Sequence, residues 1–453
     1  MASEDRLQRV SCVSTGFLLR TRWPGCDDKL PSRVGMSSVR VAYVCADPGI
    51  RLSEDNGSAT HVGQFARALA GHGSSVTLFA AAEDEAAAEN LGIATVGFGA
   101  DPDLGEIRRK LTAGLRRRDK SVVQAGEVFA LLSNQPLEHE LWSRRDEFDL
   151  VYERLSLWSY GALRFARSRG IPFVVEVNAP LAEQQEEYRD LDMVETAYAI
   201  EAFVLENADL ALVTTEALVD YVHARGLSRH RVRVLPCGVD RSFLESTQTA
   251  KTADPDCFTL GFVGSLKPWH GVEILLQAFA GLRELSPVYR LLVVGDGPLM
   301  GRIHAFCETN GLDDAVSLVG AVPHSRVPYY LAQMDAGIAP YPPMSSFYFS
   351  PLKIWEYAAG RVPIVASASG EIPTLFPHRS AALLHEPGKV GKIVKHVERL
   401  RRDPQLGERL ARRARAVAKE HTWDRLAGRF LTLADRLVVE RQNGAGGGSQ
   451  GGS

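Results

Sequence analysis

The sequence predicts an α/β protein built from two Rossmann-like, doubly wound domains that face a central cleft. Nearly continuous apolar segments of strand length recur along the chain, and amphipathic helical segments separate them. One polar, turn-rich stretch interrupts the series near its middle. Continuous apolar strands are typical of parallel sheets that helices cover on both faces. The 453 residues are enough for two hydrophobic cores.

The first half of the chain alternates between strands and helices from residue 38 onwards. Residues 39–46 (VRVAYVCA) predict a buried strand, and the helix that follows places Val62, Phe65, Ala66 and Leu69 on one face before Gly71 ends it. Further strands are predicted at 76–79, 149–152, 171–177, 210–213 and 231–235. These segments predict an N-terminal Rossmann-like domain over residues 38–246.

The second half repeats the alternation after residues 247–256 (TQTAKTADPD), which we interpret as an interdomain linker. Strands are predicted at 258–263, 290–294, 315–319, 335–339, 362–365 and 381–384. We predict a C-terminal Rossmann-like domain over 257–422 and a final helix over 423–441 that packs back towards the N-terminal domain. Residues 1–37 are predicted to be disordered or an extension, and 442–453 a flexible Gly/Ser tail.

Composition excludes several classes of protein. The formal net charge of −3 argues against a dedicated nucleic-acid binder, which needs a basic excess. Six scattered cysteines without a CxxC pair fit reduced thiols in a cytoplasmic protein, not a disulfide framework or a zinc site. No apolar run has the ~20 residues that a membrane span needs. Glu4 and Asp5 before a weakly apolar stretch argue against a secretory signal.

Residues 347–367 (FYFSPLKIWEYAAGRVPIVAS) form the stretch around which the rest is organised. They predict a loop, a helix with Pro351 in its first turn and Gly360 at its end, and a buried strand. Lys353 and Glu356 stand three apart and share one face near the helix start. Free N–H groups, an ammonium and a carboxylate there suit a diphosphate and a sugar hydroxyl. The alternative is a surface ion pair.

Two further loops follow predicted strands and suit an anionic ligand. Residues 261–271 (GFVGSLKPWHG) place Lys267 and His270 near a helix start. They do not form GxGxxG, and no suitably spaced acidic residue follows a strand, so NAD is disfavoured. In 294–298 (VGDGP), Gly295 and Gly297 allow close approach of the backbone to a ligand, although such a segment also serves as a simple turn.

Together these motifs resemble the retaining glycosyltransferases of family 4, which have the GT-B fold. The resemblance rests on residues 261–279, 291–298, 350–367 and 370–375 (GEIPTL), with GSATHV (57–62), EVNAPL (176–181) and LPCGVD (235–240) in the first half. It covers roughly residues 39–441. It implies that the first domain binds an acceptor and the second a nucleotide sugar.

The resemblance also assigns roles on the donor side. Glu356 matches the glutamate that grips the nucleotide's ribose, whereas the position of its partner glutamate holds Tyr348. Backbone N–H groups at Phe349, Ser350 and Leu352 are expected to substitute for that partner. The family's basic pair falls on Ser265 and His270, so the charge facing the diphosphate is assigned to Lys267, His270 and Lys353. Gly264, Gly295 and Gly297 complete the expected donor site, and Cys237 is interpreted as a packing residue.

The expected acceptor side consists of residues at strand or loop ends of the first domain: Gly57, His61, Glu153, Arg154, Glu176 and Asn178. His61 is either a catalytic residue or a structural cap or hydrogen-bond partner. An acidic cluster (Glu183, Glu186, Glu187, Asp190 and Asp192) either welcomes a cationic acceptor or is a solvated helix face. A basic segment over 108–120 either touches anionic membranes or is a solvated helix.

The predicted function is therefore that of a metal-independent, retaining hexosyltransferase. It moves a sugar from a UDP or GDP sugar to a hydroxyl of a small molecule, glycan or glycolipid, with no cofactor and no metal site. Asp27-Asp28 lies in the segment excluded from the fold, and Asp101-Pro-Asp103 is interpreted as a turn. An epimerase or phosphorylase on the same fold, or a non-catalytic sugar-nucleotide-binding protein, is the alternative. The sequence leaves the oligomeric state open.

Overall fold

The computed structural model describes residues 38–54, 56–81, 91–99, 102–116, 123–245 and 256–446. The predictions for residues 1–37 and for the tail beyond residue 446 lie outside these ranges, as does all but the last residue of the predicted linker 247–256. Asp27, Asp28 and Asp101 also lie outside them, whereas Asp103 belongs to a helix and not to a turn.

The N-terminal half contains one parallel sheet with helices between its strands. Its strands are β1 (Arg40–Cys45), β2 (Ser75–Ala80), β3 (Ala94–Gly97), β4 (Leu150–Arg154), β5 (Phe173–Val177), β6 (Leu210–Val213) and β7 (Val232–Val234). Its described helices are α1 (Gly57–Gly71), α2 (Pro102–Arg116), α3 (Val123–Leu132), α4 (Asn134–Ser143), α5 (Gly161–Arg169), α6 (Leu181–Tyr188), α7 (Val194–Asn207), α8 (Ala217–Ala224) and α9 (Arg241–Glu245).

The C-terminal half repeats this arrangement. Its strands are β8 (Phe258–Val263), β9 (Tyr289–Val294), β10 (Val316–Gly320), β11 (Ala336–Ala339), β12 (Ile364–Ser367) and β13 (Leu383–His385). Its helices are α10 (Val272–Leu285), α11 (Met300–Asn310), α12 (Val327–Leu331), α13 (Leu352–Ala359), α14 (Ile372–Leu375), α15 (Val390–Arg402), α16 (Pro404–Lys419) and α17 (Trp423–Gly446).

Both sheets have the strand order of a doubly wound fold, which confirms the predicted fold class. The order is β3-β2-β1-β4-β5-β6-β7 in the first sheet and β10-β9-β8-β11-β12-β13 in the second, and every strand pair is parallel. In the first sheet, β2 and β3 lie on one side of β1, and the strands from β4 onwards lie on its other side. In the second sheet, the same change of side occurs between β8 and β11. Ligands of such sheets bind beyond the carboxyl ends of the strands at these switch points.

One strand of the first sheet lacked a clear signal in the sequence. β3 lies at the sheet edge and has half-exposed or exposed residues throughout, so its sequence does not form a continuous apolar run. The central strands are buried over nearly their whole length, as a sheet covered on both faces requires. Burial on both faces explains why the central strands could be predicted and β3 could not.

The last helix, α17, packs on α1 of the N-terminal half. The ring of Phe430 lies 5.9 Å from that of Phe65, and Trp423 lies 4.7 Å from the ring of His61. The helix extends to Gly446, so residues 442–446, predicted as tail, form its last turn. Within the described part of the chain, no helix is long and apolar enough to cross a membrane.

Candidate active site

A cavity of about 1230 Å³ lies where the carboxyl ends of the two sheets meet. Residues from both halves line it, as the sequence predicts for a cleft between two Rossmann-like domains. The predicted site residues in its lining are Gly57, His61, Arg154, Asn178, Gly264, Ser265, Lys267, His270, Gly295, Gly297, Phe349, Ser350, Leu352, Lys353 and Glu356. Glu153, Glu176 and Tyr348 are not in the lining, for the reasons given below.

Helix α13 begins at the cavity wall. Pro351 precedes its first residue in an extended conformation (φ −78°, ψ 106°), so the helix starts one residue later than predicted. The N–H groups of the first turn have no acceptor within the helix, and they give this end of the helix a partial positive charge. The Oγ of Ser350 accepts a hydrogen bond of 3.0 Å from the Cys237 N–H, which joins this wall to the N-terminal half.

The ammonium of Lys353 is the principal buried charge beside this helix start. The residue is 6% exposed, and Nζ lies 4.7 Å from the ring centre of Phe262 and 5.4 Å from that of Tyr341. Burial lowers the pKa of Lys353 to about 7, and the nearby carboxylate of Glu356 opposes that shift only in part. A surface ion pair is therefore the wrong interpretation of Lys353 and Glu356, because both side chains are buried.

Two glycines make room for this lysine and for the loops around it. Gly264 has φ +121°, and a Cβ there would lie 3.2 Å from the Cε of Lys353. Gly295 has φ +139°, and a Cβ on it would lie 2.1 Å from the carbonyl oxygen of Gly264. A side chain at either position is strained by the backbone conformation as well as by the contact. The loops after β8 and β9 therefore need these glycines to pack together at the cavity.

Lys267 and His270 differ in charge, although both lie on the loop after β8. Lys267 is half-buried, with Nζ 5.2 Å from the ring centre of Trp269, and burial and Arg189 lower its pKa. Nδ1 of His270 lies 2.6 Å from the carbonyl oxygen of Ser265. Burial and then Lys353 lower the pKa of His270 to about 3. Burial and Lys353 therefore disfavour the charged form of His270, and its predicted contact with the diphosphate stays a prediction.

Glu356 has a partner that the sequence did not reveal. Its Oε1 lies 3.0 Å from Nε2 of His324, and both residues line the cavity. His324 follows β10 by four residues, so its place at the carboxyl end of a strand was the available signal. The predicted contact of Glu356 with a ribose stays a prediction, and the structure adds that His324 holds the carboxylate in place.

His61 lies on the opposite wall, within a buried polar group. Its Nε2 lies 2.5 Å from Oε1 of Glu176, and its Nδ1 lies 3.4 Å from Sγ of Cys237. Burial alone would lower the pKa of His61, but Glu176 and then Cys237 outweigh burial and raise that pKa to about 9. Asn56 caps α1 through its Oδ1, so His61 is not the helix cap, but its contacts with Glu176 and Cys237 fit the alternative of a structural hydrogen-bond partner.

Glu176 lies behind His61 and does not itself reach the cavity. Burial tends to raise the pKa of Glu176, but His61 and Arg154 lower it overall. The carboxylate therefore keeps its charge and holds the imidazole ring from behind. Its predicted contact with the acceptor is wrong in that direct sense, because Glu176 is buried and the cavity lining contains His61 instead.

Glu153 and Arg154 are neighbours on β4, and they face opposite sides of the sheet. Arg154 lines the cavity, whereas Glu153 is 0% exposed and lies outside the lining. Burial raises the pKa of Glu153 to about 7, against a smaller opposing effect of Ser159. The prediction that Glu153 contacts an acceptor is wrong, because the alternation of a strand turns this side chain away.

Tyr348 is also absent from the cavity. The residue is 6% exposed, and its side chain belongs to the hydrophobic core of the N-terminal half. Its carbonyl oxygen accepts a hydrogen bond of 3.3 Å from Oγ1 of Thr215. The prediction that Tyr348 contacts the donor is wrong for its side chain, which instead ties the loop before α13 to the other half.

Most of the acidic cluster after β5 already has partners in the protein. Glu183 lies 3.1 Å from Arg225, and Glu186 accepts a hydrogen bond of 2.7 Å from the hydroxyl of Tyr198. Asp192 accepts one of 3.1 Å from the N–H of Gln124. These contacts favour the solvated helix face over a site for a cationic acceptor. Asp190 alone of the cluster lines the cavity, and it is exposed.

Two parallel doubly wound sheets and a shared cavity with buried cations define a class of protein, the GT-B transferases. Comparison with known families agrees. Residues 257–403 match the family described as "Glycosyl transferases group 1", and residues 56–238 match the "Glycosyl transferase 4-like domain". The chain belongs to this family of glycosyltransferases.

Individual relatives have low sequence identity to this chain, but some of the alignments cover most of its length. The chain is 25% identical over 443 residues to a D-inositol 3-phosphate glycosyltransferase of Stackebrandtia nassauensis, which is 92% of this chain and 94% of that protein. It is 24% identical over 259 residues to an alpha-D-kanosaminyltransferase of Streptomyces kanamyceticus, a match that spans 55% of this chain and 66% of that protein. Anabaena HepE in complex with UDP has a similar fold, with a TM-score of 0.64 and 17% identity over 90% of this chain and 100% of that one.

Proposed function

We propose that this protein transfers a sugar from a nucleoside-diphosphate sugar of the UDP or GDP type to a hydroxyl acceptor. We further propose that the transfer retains the anomeric configuration and requires no metal ion. The observation that carries the proposal is the buried ammonium of Lys353, which lies beside the start of α13 and lines the cavity. Among the described residues, this ammonium has no carboxylate ion pair.

The chemistry of the bond that breaks explains the need for such a charge. Cleavage of a sugar–diphosphate bond leaves negative charge on the departing diphosphate and positive charge at the anomeric carbon. Lys353, Lys267 and the N-terminus of α13 stabilise the first of these charges. These groups are already in position before the bond breaks, so they stabilise the charge of the transition state more than that of the bound substrate. They also supply the positive charge that a metal ion supplies in other transferases.

Retention is proposed because residues 261–279, 350–367 and 370–375 resemble the retaining glycosyltransferases of family 4. The acceptor site is then proposed to lie on the same side of the sugar as the diphosphate. Attack from that side retains the configuration, and the departing diphosphate oxygen takes the proton of the acceptor hydroxyl.

The comparisons support UDP as the first donor nucleotide to test. HepE, which has the same fold, binds UDP in its solved structure. The relative from Stackebrandtia nassauensis is named for D-inositol 3-phosphate, so a small polyol is the first acceptor class to test. A glycan or glycolipid acceptor remains within the proposal.

The test is release of nucleoside diphosphate from a panel of UDP and GDP sugars, with and without polyol acceptors. We expect acceptor-dependent release that EDTA does not reduce, and an NMR spectrum in which the product keeps the anomeric configuration of the donor. A rearranged sugar nucleotide without release indicates an epimerase, and a sugar phosphate as product indicates a phosphorylase. Binding without any turnover indicates a non-catalytic protein.

We also propose a cytoplasmic location with peripheral membrane contact through α2. Ile107 and Leu111 are 42% and 36% exposed on this helix, next to the exposed Arg109 and Lys110. Apolar and basic side chains together suit an anionic bilayer surface. Arg117, Arg118 and Lys120 of the basic segment lie outside the described residues. Co-sedimentation with anionic vesicles tests the contact, and protein that stays in the supernatant at physiological salt indicates a solvated helix instead.

A further inference from the structure

Two side chains at the carboxyl edge of the first sheet have unpaired buried polar atoms and also line the cavity. Within the described ranges, an Nη of Arg154 and Oγ1 of Thr214 are buried without a hydrogen-bond partner. Buried polar groups are normally paired, so these two atoms indicate a polar ligand.

Arg154 has the most hydrogen-bond donors without an acceptor in this group. Its side chain is 12% exposed, and its nearest carboxylate oxygen, Oε2 of Glu176, is 3.9 Å away, beyond hydrogen-bond distance. The guanidinium donates no hydrogen bond to any of the residues that the structure describes. A guanidinium carries five N–H donors in a planar fork that matches the two oxygens of a carboxylate or phosphate. This arginine is therefore placed to bind an anionic group.

The charges around Arg154 favour an anion over a cation. With His61 protonated, the group of His61, Arg154 and Glu176 carries one net positive charge in a buried position. The carboxylates of the cavity do not cancel it. Glu127 accepts the N–H groups of Asp192 and Met193 with its two oxygens. Asp47, Glu54, Asp190 and Asp296 are half-buried or exposed, where water weakens their effect, and the buried Glu356 lies on the C-terminal wall beside His324 and Lys353.

We propose that Arg154, with Thr214 of the same cavity, binds a carboxylate or phosphate ester carried by one of the two sugar substrates. This inference rests on the proposed function, because it assigns the chemical class of a substrate of the same cavity. It gives the cavity two anion sites. The diphosphate meets Lys353 and Lys267 on the C-terminal wall, and the second anionic group meets Arg154 on the N-terminal wall.

A series of contacts separates the two anion sites. Ser350 at the start of α13 contacts Cys237, Cys237 contacts His61, His61 contacts Glu176, and Glu176 faces Arg154. Cys237, His61 and Glu176 therefore lie between the start of α13 and the guanidinium of Arg154. An anionic group on the transferred sugar or on the acceptor, separate from the diphosphate, is what we expect Arg154 to bind.

The experiment measures binding of matched anionic and neutral probes to the full chain by calorimetry. For the donor as the source, the probes are UDP-glucuronate and UDP-glucose. For the acceptor as the source, the probes are glycerol 3-phosphate, inorganic phosphate and glycerol, each added to protein saturated with UDP and to protein without nucleotide. We expect at least one anionic probe to bind about 10- to 100-fold more tightly than its neutral counterpart.

The variant that tests the assignment is Arg154→Gln. We expect it to lose the preference for the anionic probe while keeping its affinity for UDP, which also shows that it is folded. Arg154→Lys keeps the charge but not the fork, so an intermediate preference is expected. Arg167→Gln removes an exposed arginine outside the cavity and serves as the matched control.

Two results would overturn the inference. One is equal binding of anionic and neutral probes to the wild-type protein. The other is a preference that survives in Arg154→Gln, or a loss of affinity for UDP itself that equals the loss for the anionic probe. Failure of UDP and GDP to bind at all rejects the proposed donor instead, and the probes without nucleotide still decide the role of Arg154.

Discussion

Replacing Lys353 with methionine should make the protein more stable and at the same time unable to bind a nucleoside diphosphate. The residue is 6% exposed and its ammonium lies against two aromatic rings. Methionine keeps a long unbranched side chain and removes the charge. An anion site that is formed before its ligand binds holds a buried charge without a counter-ion, and this charge lowers the stability of the free protein.

The size of the effect follows from the pKa of Lys353. A fall from the ordinary 10.5 to about 7 corresponds to an upper limit of about 4 to 5 kcal/mol for holding the ammonium in the protein, at about 1.4 kcal/mol per pH unit. The ring contacts and Glu356 return part of this cost. We therefore expect Lys353→Met to raise the free energy of unfolding by about 1 to 3 kcal/mol.

The sign can be checked against pH. Because the pKa of Lys353 in the folded protein is below that of the unfolded chain, the cost is fully present below about pH 7. It shrinks as the pH rises from about 7 towards 10.5, where the unfolded chain also loses its proton. The advantage of the methionine variant should shrink over the same range.

The assay is thermal and urea unfolding at pH 7, with and without UDP. UDP should raise the melting temperature of the wild-type protein and not that of Lys353→Met. Lys395→Met changes an exposed lysine on α15 and should alter neither property. The reasoning is refuted if Lys353→Met is less stable than the wild type and UDP protects both proteins equally.

Three further variants probe neighbouring parts of the structure. His61→Gln should lower the free energy of unfolding below about pH 6.5, and the difference from the wild type should fade as the pH rises through about 9, because the pKa of His61 is raised in the folded protein. Urea unfolding at a series of pH values measures this difference, and a difference that does not change with pH contradicts the prediction. Tyr348→Glu should lower the free energy of unfolding by about 3 to 5 kcal/mol without improving donor affinity, because it buries a carboxylate in the N-terminal core; tighter UDP binding would show that position 348 faces the donor. Gly264→Ala should weaken UDP binding at least tenfold in calorimetry, because its Cβ would lie 3.2 Å from Lys353 at φ +121°, whereas Gly301→Ala, on a helix with open space around it, should leave UDP binding unchanged.

The parts of the fold that the sequence predicts well are those buried on both faces. β1, β8 and β9 are continuous apolar runs, and burial by helices on both sides explains that pattern. The edge strand β3 lacks the pattern because much of its surface faces solvent. Its sequence therefore resembles a loop until its neighbour β2 is known.

The site was predictable to the level of loops and less so to the level of side chains. The loop after β8 and the start of α13 carry their cavity-lining residues close to a strand or helix end, so Lys267 and Lys353 could be placed at the cavity. Glu153 could not be separated from Arg154, because the register of β4 decides which of two adjacent side chains reaches the cavity.

Contacts between residues far apart along the chain, and the burial they cause, were the least predictable features. The side chain of Tyr348 leaves the donor wall for the N-terminal core, and Glu356 meets His324 across 32 residues of sequence. The lowered pKa of His270 likewise depends on burial and then on Lys353, 83 residues further along the chain, which no local pattern encodes. Long-range packing determines each of these outcomes.

The most direct measurement is the initial rate of nucleoside-diphosphate release by Lys267→Ala and by Glu356→Ala beside the wild type, at saturating donor. If positive charge and the held ribose act as described, the turnover of each variant falls by about 10²–10³-fold while its circular dichroism spectrum is unchanged. Lys395→Ala should keep the wild-type rate. Near-wild-type turnover in either cavity variant would contradict the account.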